Sequence, residues 1–154
     1  MDGSEFDPNT TGLIIVDHGS RRQESNALLL EAAEAFRQYA GWPIVEPAHM
    51  ELAEPSIATA FRRCVEQGAR LVVVFPYFLG PGRHWREDIP RLAAEAASPW
   101  KDRGVRHVVT APLGVHPLVM QVIGERITQC LRRASGRGEG CDLCSDGGGC
   151  AAWS

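Results

Sequence analysis

No apolar run in this chain approaches the roughly 20 residues needed to cross a bilayer as a helix, which excludes a helical membrane span. A basic excess is missing too: 16 Lys and Arg stand against 19 Asp and Glu, for a net charge of −3. General nucleic-acid or membrane-surface binding requires the opposite balance. The amino terminus lacks the basic-then-apolar layout of a signal peptide. It reads Met1-Asp2-Gly3-Ser4-Glu5-Phe6, and Gly-Ser-Glu-Phe is what two adjacent cloning sites encode. Residues 1–11 are therefore expected to be a cloning-derived leader and a disordered start, with any transit peptide absent from this chain. Cysteine is nearly missing from the first 129 residues, where Cys64 stands alone. The other four of five are Cys130, Cys141, Cys144 and Cys150. An odd number crowded at one end does not make the disulfide framework of a secreted domain.

What is present suits one globular domain with a real core: 154 residues, 44% hydrophobic and 23% charged. Strand and helix signals alternate along it. Gly12-Leu13-Ile14-Ile15-Val16 is a continuous apolar run, as a strand covered on both faces should be. Residues 25–40 are rich in Ala, Leu and Glu and stop at Gly41, which predicts a helix. Residues 42–51 read as a second strand, made either an edge strand or an irregular one by Pro43 and Pro47. Pro55 and Gly68 bracket a second helix. Residues 70–79 form a third strand and 85–97 a third helix, with Pro90 tolerated only near its first turn. Residues 105–111 make a fourth strand. Pro117 opens a fourth helix with Leu118, Val122, Ile123, Ile127 and Leu131 at three- and four-residue steps.

The expected fold is α/β, a doubly wound four-stranded parallel sheet in βαβαβαβα order with helices on both faces. It spans residues 12–134. Residues 135–154 turn to Gly, Cys and Asp without periodicity and read as an irregular, flexible Cys-rich tail. Ligands of such sheets bind beyond the carboxyl ends of the strands, and that is where the chemistry gathers. Asp17-His18-Gly19-Ser20-Arg21-Arg22 follows the first strand, and Pro81-Gly82-Arg83-His84-Trp85-Arg86 follows the third. Two imidazoles there can bind a divalent transition metal or accept protons near neutral pH. Arg21, Arg22, Arg83 and Arg86 border them, a rim suited to a polycarboxylate, although a solvated loop charge is the plain alternative for Arg21 or Arg22. Glu51, after the second strand, can complete a nitrogen–oxygen metal site, whereas Glu54 directly before Pro55 suits a helix cap.

Other residues have simpler readings. His116 is expected to cap the fourth helix, and His49 and His107 to be structural within strands. Met50, Phe75, Phe78 and Leu79 are expected in the core. Trp85 suits either stacking on a flat ligand or anchoring a helix start, and Cys64 is expected to be buried. In the tail, Cys141-x2-Cys144-x5-Cys150 supplies three soft ligands with a spacing suited to zinc or an iron–sulfur cluster, with Cys130 or a partner subunit as the fourth source.

Taken together, three segments resemble the small sirohydrochlorin chelatases, in their plant-type ferrochelatase branch. They are Val16-Asp17-His18-Gly19-Ser20-Arg21-Arg22, Glu46-Pro47-Ala48-His49-Met50-Glu51-Leu52-Ala53-Glu54-Pro55-Ser56 and Phe78-Leu79-Gly80-Pro81-Gly82-Arg83-His84-Trp85, and the cysteine-rich ending is a further match. The histidine segment alone is weak evidence, but all segments in this order are specific. The resemblance implies insertion of Fe2+ into sirohydrochlorin to give sirohaem, with His18 and His84 handling the metal and Glu51 as a helper. It also implies a homodimer, a plastid location and a [2Fe–2S] cluster on Cys141, Cys144 and Cys150, with Cys130 a possible fourth ligand. Three rival readings stay open: insertion of Co2+ for cobalamin synthesis, a non-catalytic iron–sulfur redox or metal-sensing protein, and a metal-delivery protein.

Overall fold

The apolar run at the start of the chain forms a central strand. In the computed structural model, which describes residues 6–80, 82–138 and 141–143, strand β1 spans Thr11–Asp17 and alternates its side chains between two cores. Ile14 and Val16 point into the larger core and Ile15 into the smaller. Helix α1 (Gln23–Ala40) covers the smaller core with Leu29 and Ala33. Helices α2 (Ile57–Glu66) and α3 (Ile89–Ala97) cover the larger one through Ala60, Phe61, Cys64, Ala93 and Ala96. A run apolar on both faces is what a sheet sandwiched between helices requires. Each fully buried side chain such as Ile14 or Phe61 stabilises the fold by about 1.5–3 kcal/mol.

Strands β2 (Val45–His49), β3 (Leu71–Pro76) and β4 (Arg106–Val109) complete the parallel sheet in the order β2-β1-β3-β4. The second strand lies at an edge, one of the two readings its prolines allowed, and β4 is the other edge. Strand order reverses direction between β1 and β3, so a crevice is expected beyond the carboxyl ends of those two strands.

Several expected boundaries move for local reasons. Strand β3 stops at Pro76 rather than running to residue 79. Helix α2 begins after Ser56, whose hydroxyl accepts the Thr59 N–H at 3.2 Å, an N-cap. Glu54 reinforces that turn, accepting the Ser56 N–H at 2.7 Å and the Thr59 hydroxyl at 3.0 Å. Those bonds, the Ser56 backbone first, hold its carboxyl below the usual carboxylate range. The third helix divides into a π-helical turn, His84–Asp88, followed by α3. In that turn the Ile89 N–H reaches back to the His84 carbonyl, and Pro90 sits at the start of α3 where its missing N–H is tolerated.

Cys64 is fully buried, as expected. A Cβ on Gly12 would lie 2.8 Å from its Cβ, so the glycine is what lets α2 approach β1. Burial pushes the Cys64 thiol well above its ordinary range, which makes it inert.

Two compact units make up the chain, residues up to Gly114 and those from Val115. The second holds helix α4 (Pro117–Ala134), with His116 as its N-cap: the imidazole Nδ1 accepts the Leu118 N–H at 3.2 Å. Leu118, Val122, Ile123, Ile127 and Leu131 of α4 are exposed. Arg126 of this helix makes a forked ion pair with Asp142, next to the buried Cys141.

Candidate functional site

Strand β1 delivers His18 into the crevice, and the backbone around it is tightly laced. The Met50 N–H donates to the Asp17 carbonyl at 2.8 Å and the Glu51 N–H to the His18 carbonyl at 3.2 Å, so pairing of β1 with β2 continues past both strands. Gly19 makes this possible. Its φ is +83°, and a Cβ there would sit 1.9 Å from the Glu51 carbonyl oxygen. Asp17 Oδ1 accepts the Gly19 N–H at 2.9 Å and also faces His49 Nδ1 at 2.6 Å. His49 is structural, as expected, but not passive: its side chain is 0% exposed and it pins the Asp17 carboxylate under the His18 turn. With the proton on Nδ1, Nε2 is the unprotonated nitrogen, and it has no hydrogen-bond partner among the described residues. Further along, Ser20 is tied to Asn26 of α1 by bonds of 2.9 and 2.7 Å.

His84 arrives from the other side of the switch point. Its ring lies 4.7 Å from that of His18, centroid to centroid, in an edge-on arrangement at 75°. The two imidazoles singled out in the sequence are thus brought together. Phe78 stacks on one partner of this pair: its ring is 4.6 Å from His18 at 24°. Phe78 also packs on the larger core, as Met50 does, while Phe75 packs on the smaller. Leu79 departs from expectation. It is 66% exposed because β3 has already ended at Pro76.

The π-helical turn is anchored by Trp85, whose indole N–H donates to the Thr110 carbonyl at 2.8 Å. Of the two readings of Trp85, the anchor is the one observed. At the far end of the turn, Asp88 Oδ2 lies 2.8 Å from His84 Nδ1. Sequence reasoning overlooked Asp88, although its four-residue spacing from His84 is the signal that could have found it. Phe78 was missed as a site residue for a plainer reason: an aromatic after a strand looks like core.

Arg21, Arg22, Arg83 and Arg86 are all exposed on the two histidine loops. Arg83 Nε is 3.3 Å from Glu87, a solvent-exposed pair that holds it weakly. Glu51 is exposed beside the His18 loop and joins it through its backbone. Among the described residues no three His, Cys, Asp or Glu side chains are grouped closely enough to hold a metal ion, so the histidine pair is an open site rather than a closed cage. Pro81, Cys144 and Cys150 lie outside the described residues. Cys130 and Cys141 are both near enough to Arg126 to act on its charge.

Comparison with known proteins identifies relatives of the whole fold. The CbiX family model matches residues 12–130. The chain is 54% identical over 134 residues to a protein of Arabidopsis thaliana described as sirohydrochlorin ferrochelatase, chloroplastic, covering 87% of this chain and 59% of that one. It is 45% identical over 80 residues to a sirohydrochlorin cobaltochelatase of Methanocaldococcus jannaschii, covering 52% of this chain and 56% of that one. Among solved structures it resembles SirB from Bacillus subtilis with Fe3+, at a TM-score of 0.72 and 29% identity, over 79% of this chain and 47% of that one. The chain thus spans between half and three-fifths of the length of the two curated relatives.

Proposed function

The chain belongs to the CbiX family, and from that premise we propose that it is a sirohydrochlorin ferrochelatase, inserting Fe2+ into sirohydrochlorin with release of two protons to give sirohaem. The observation that carries this reading is the apposition of His18 and His84 across the β1–β3 switch point, 4.7 Å between rings. A chelatase must bind its metal and then surrender it. Imidazole donors in an open site suit that task better than a closed thiolate cage. The exposed position of both rings leaves room for a flat macrocycle to settle over them.

In this mechanism Arg21, Arg22, Arg83 and Arg86 hold the carboxylates of the macrocycle through charge-assisted hydrogen bonds. His18, backed by the Phe78 ring, and His84, backed by the Trp85-anchored turn, present Fe2+ to one face of the tetrapyrrole. Glu51 assists from the β2 side as a carboxylate ligand or as an acceptor for the departing pyrrole protons. The chelatase domain extends over residues 12–134. Its location is the plastid, a reading supported by the chloroplastic relative.

Two further features complete the proposal. The unit is a homodimer, supported by the exposed apolar side chains of α4 and by the match to about half of the Bacillus chain. The cysteine-rich end holds a [2Fe–2S] cluster through Cys141, Cys144 and Cys150, with Cys130 as the fourth ligand. What supports this reading is the spacing of the cysteines and the position of Cys130 and Cys141, both near enough to Arg126 to act on its charge. Such a cluster would supply one-electron redox chemistry, which metal insertion itself does not need.

The cobaltochelatase relative supports a second reading, Co2+ in place of Fe2+, because imidazole and carboxylate donors separate the two metals poorly. Anaerobic chelation assays with each metal on the wild type, His18→Ala and His84→Ala test both. The expected result is Fe2+ insertion that falls at least about 100-fold in each variant while circular dichroism stays unchanged. Near-normal rates in both variants would sink the assignment. A clear preference for Co2+ in the wild type would select the second reading.

A further inference from the structure

His18 and His84 meet ring to ring, but only one of them has its nitrogens assigned by a neighbour. No hydrogen bond reaches the His18 ring from the described residues, and stacking on Phe78 orients it. His84 Nδ1, by contrast, lies 2.8 Å from Asp88 Oδ2. An ionised carboxylate can only accept, so this contact requires a hydrogen on Nδ1. A neutral imidazole carries only one ring hydrogen, so Nε2 is then left with its lone pair.

Asp88 is itself held in place. Its side chain is 25% exposed against 47% for His84, and its other oxygen faces Arg91 Nη2 at 3.9 Å. The residue after it, Ile89, is fully buried and closes the π-helical turn by donating to the His84 carbonyl. Trp85 ties the same turn to Thr110. Histidine and carboxylate therefore ride on one turn, anchored to the fold at two points, the buried Ile89 side chain and the Trp85–Thr110 bond.

We propose that Asp88 is a positioning residue for metal insertion: it locks His84 in the Nδ1–H tautomer and aims the Nε2 lone pair at the incoming Fe2+. The inference rests on the reading of His84 as a metal-presenting residue. Metal-binding imidazoles commonly need such a partner, because a ring free to change tautomer or to rotate spends part of its time with a hydrogen where the metal should be. Arg91, whose closer partner is Glu95 at 3.0 Å, adds only a weak contact to the other oxygen of Asp88.

The test combines a spectroscopic and a kinetic readout on the full chain. With 15N-labelled histidine, at a pH where the ring is neutral, the wild-type His84 should give the nitrogen shifts of an Nδ1–H, Nε2-unprotonated ring. Asp88→Ala should convert it to a mixture or to the Nε2–H form. Asp88→Asn, which keeps an acceptor oxygen, should restore most of the wild-type signal. In anaerobic chelation assays Asp88→Ala should raise the KM for Fe2+ about 10- to 100-fold and leave the KM for sirohydrochlorin unchanged. A wild-type ring already protonated at Nε2 would overturn the proposal, as would a tautomer change in Asp88→Ala with no change in the KM for Fe2+. Failure of the underlying reading has a different signature, namely full ferrochelation by His84→Ala.

Discussion

His18 and His84 stand on segments that reach the same crevice and are anchored differently. The His18 loop is fastened through its backbone: Met50 and Glu51 extend the β2 pairing beneath it, and Gly19 lies flat against the Glu51 carbonyl. Under it sits an aspartate–histidine pair, Asp17 with His49, whose imidazole is completely buried. The segment before His84 is tied through backbone as well, by the Leu113 N–H to the Phe78 carbonyl and the Gly114 N–H to the Leu79 carbonyl, but the His84 turn itself is fastened through side chains. Its aspartate–histidine pair, Asp88 with His84, is half-exposed, and Trp85 provides the anchor. The same chemical pair thus serves as a foundation on one side and as an aiming device on the other. Burial decides which, because an ion pair or hydrogen bond in water is worth little while the same bond in the interior cannot be lost cheaply.

The largest effect that could break this contrast comes from the glycines. Gly19→Ala places a Cβ 1.9 Å from the Glu51 carbonyl oxygen at a φ of +83°, and neither can yield without separating the His18 turn from the segment that carries Glu51. A loss of more than about 3 kcal/mol is expected, seen as a fall in the urea midpoint together with loss of chelation. On the opposite loop, Gly82→Ala meets nothing within 4 Å. It should leave the midpoint within about 0.5 kcal/mol of wild type. Comparable losses in the two variants would mean that the loops are not anchored differently.

Next in size are the two aspartates. Asp17→Ala removes the acceptor for both the Gly19 N–H and the buried His49 Nδ1–H. An unsatisfied buried donor costs about 1–3 kcal/mol, so a stability loss of that order is expected by urea denaturation. Asp88→Ala should change stability by no more than about 0.5 kcal/mol while altering the metal response. If Asp88→Ala is instead the more destabilising of the two, the π-helical turn is a structural support and the distinction between foundation and aiming device collapses.

Much of this architecture is legible in the chain. The continuous apolar run 12–16, Gly41 after the first helix, and Pro47 in an edge strand each signal their element through local physics that tertiary structure does not override. The pairing of His18 with His84 follows from the topology, since strands that flank a switch point bring their following loops together. What stays hidden is whatever depends on burial at the ends of elements. Phe78 and Leu79 are adjacent and equally apolar, yet one stacks on His18 and the other is exposed, because β3 ends before either. His49 lies in a strand like His107, and only the fold tells that the first is sealed beneath the site. The π-helical turn is invisible to periodicity, because one inserted residue looks like an ordinary helix start.

The smallest effect lies at the outer edge of the backbone-anchored side. Glu54 accepts from Ser56 and Thr59, and these bonds lower its pKa from an ordinary value of 4.5. A carboxyl whose folded pKa is depressed stabilises the native state above its unfolded pKa, and that contribution disappears as pH falls through the folded value. Wild type should therefore be slightly more stable than Glu54→Gln at neutral pH, by under about 1 kcal/mol since the group is exposed. The gap should begin to narrow as pH falls below about 4.5 and vanish only once pH has passed the lowered folded value, where the wild-type carboxyl becomes as neutral as the amide. Urea midpoints for the two proteins measured across that range check the sign. A gap that persists at low pH would mean that Glu54 acts by packing rather than by charge. The anchoring of the loop that carries Glu51 would then rest on the Ser56 cap, the His49 N–H bond to the Pro55 carbonyl and the backbone bonds to Asp17 and His18.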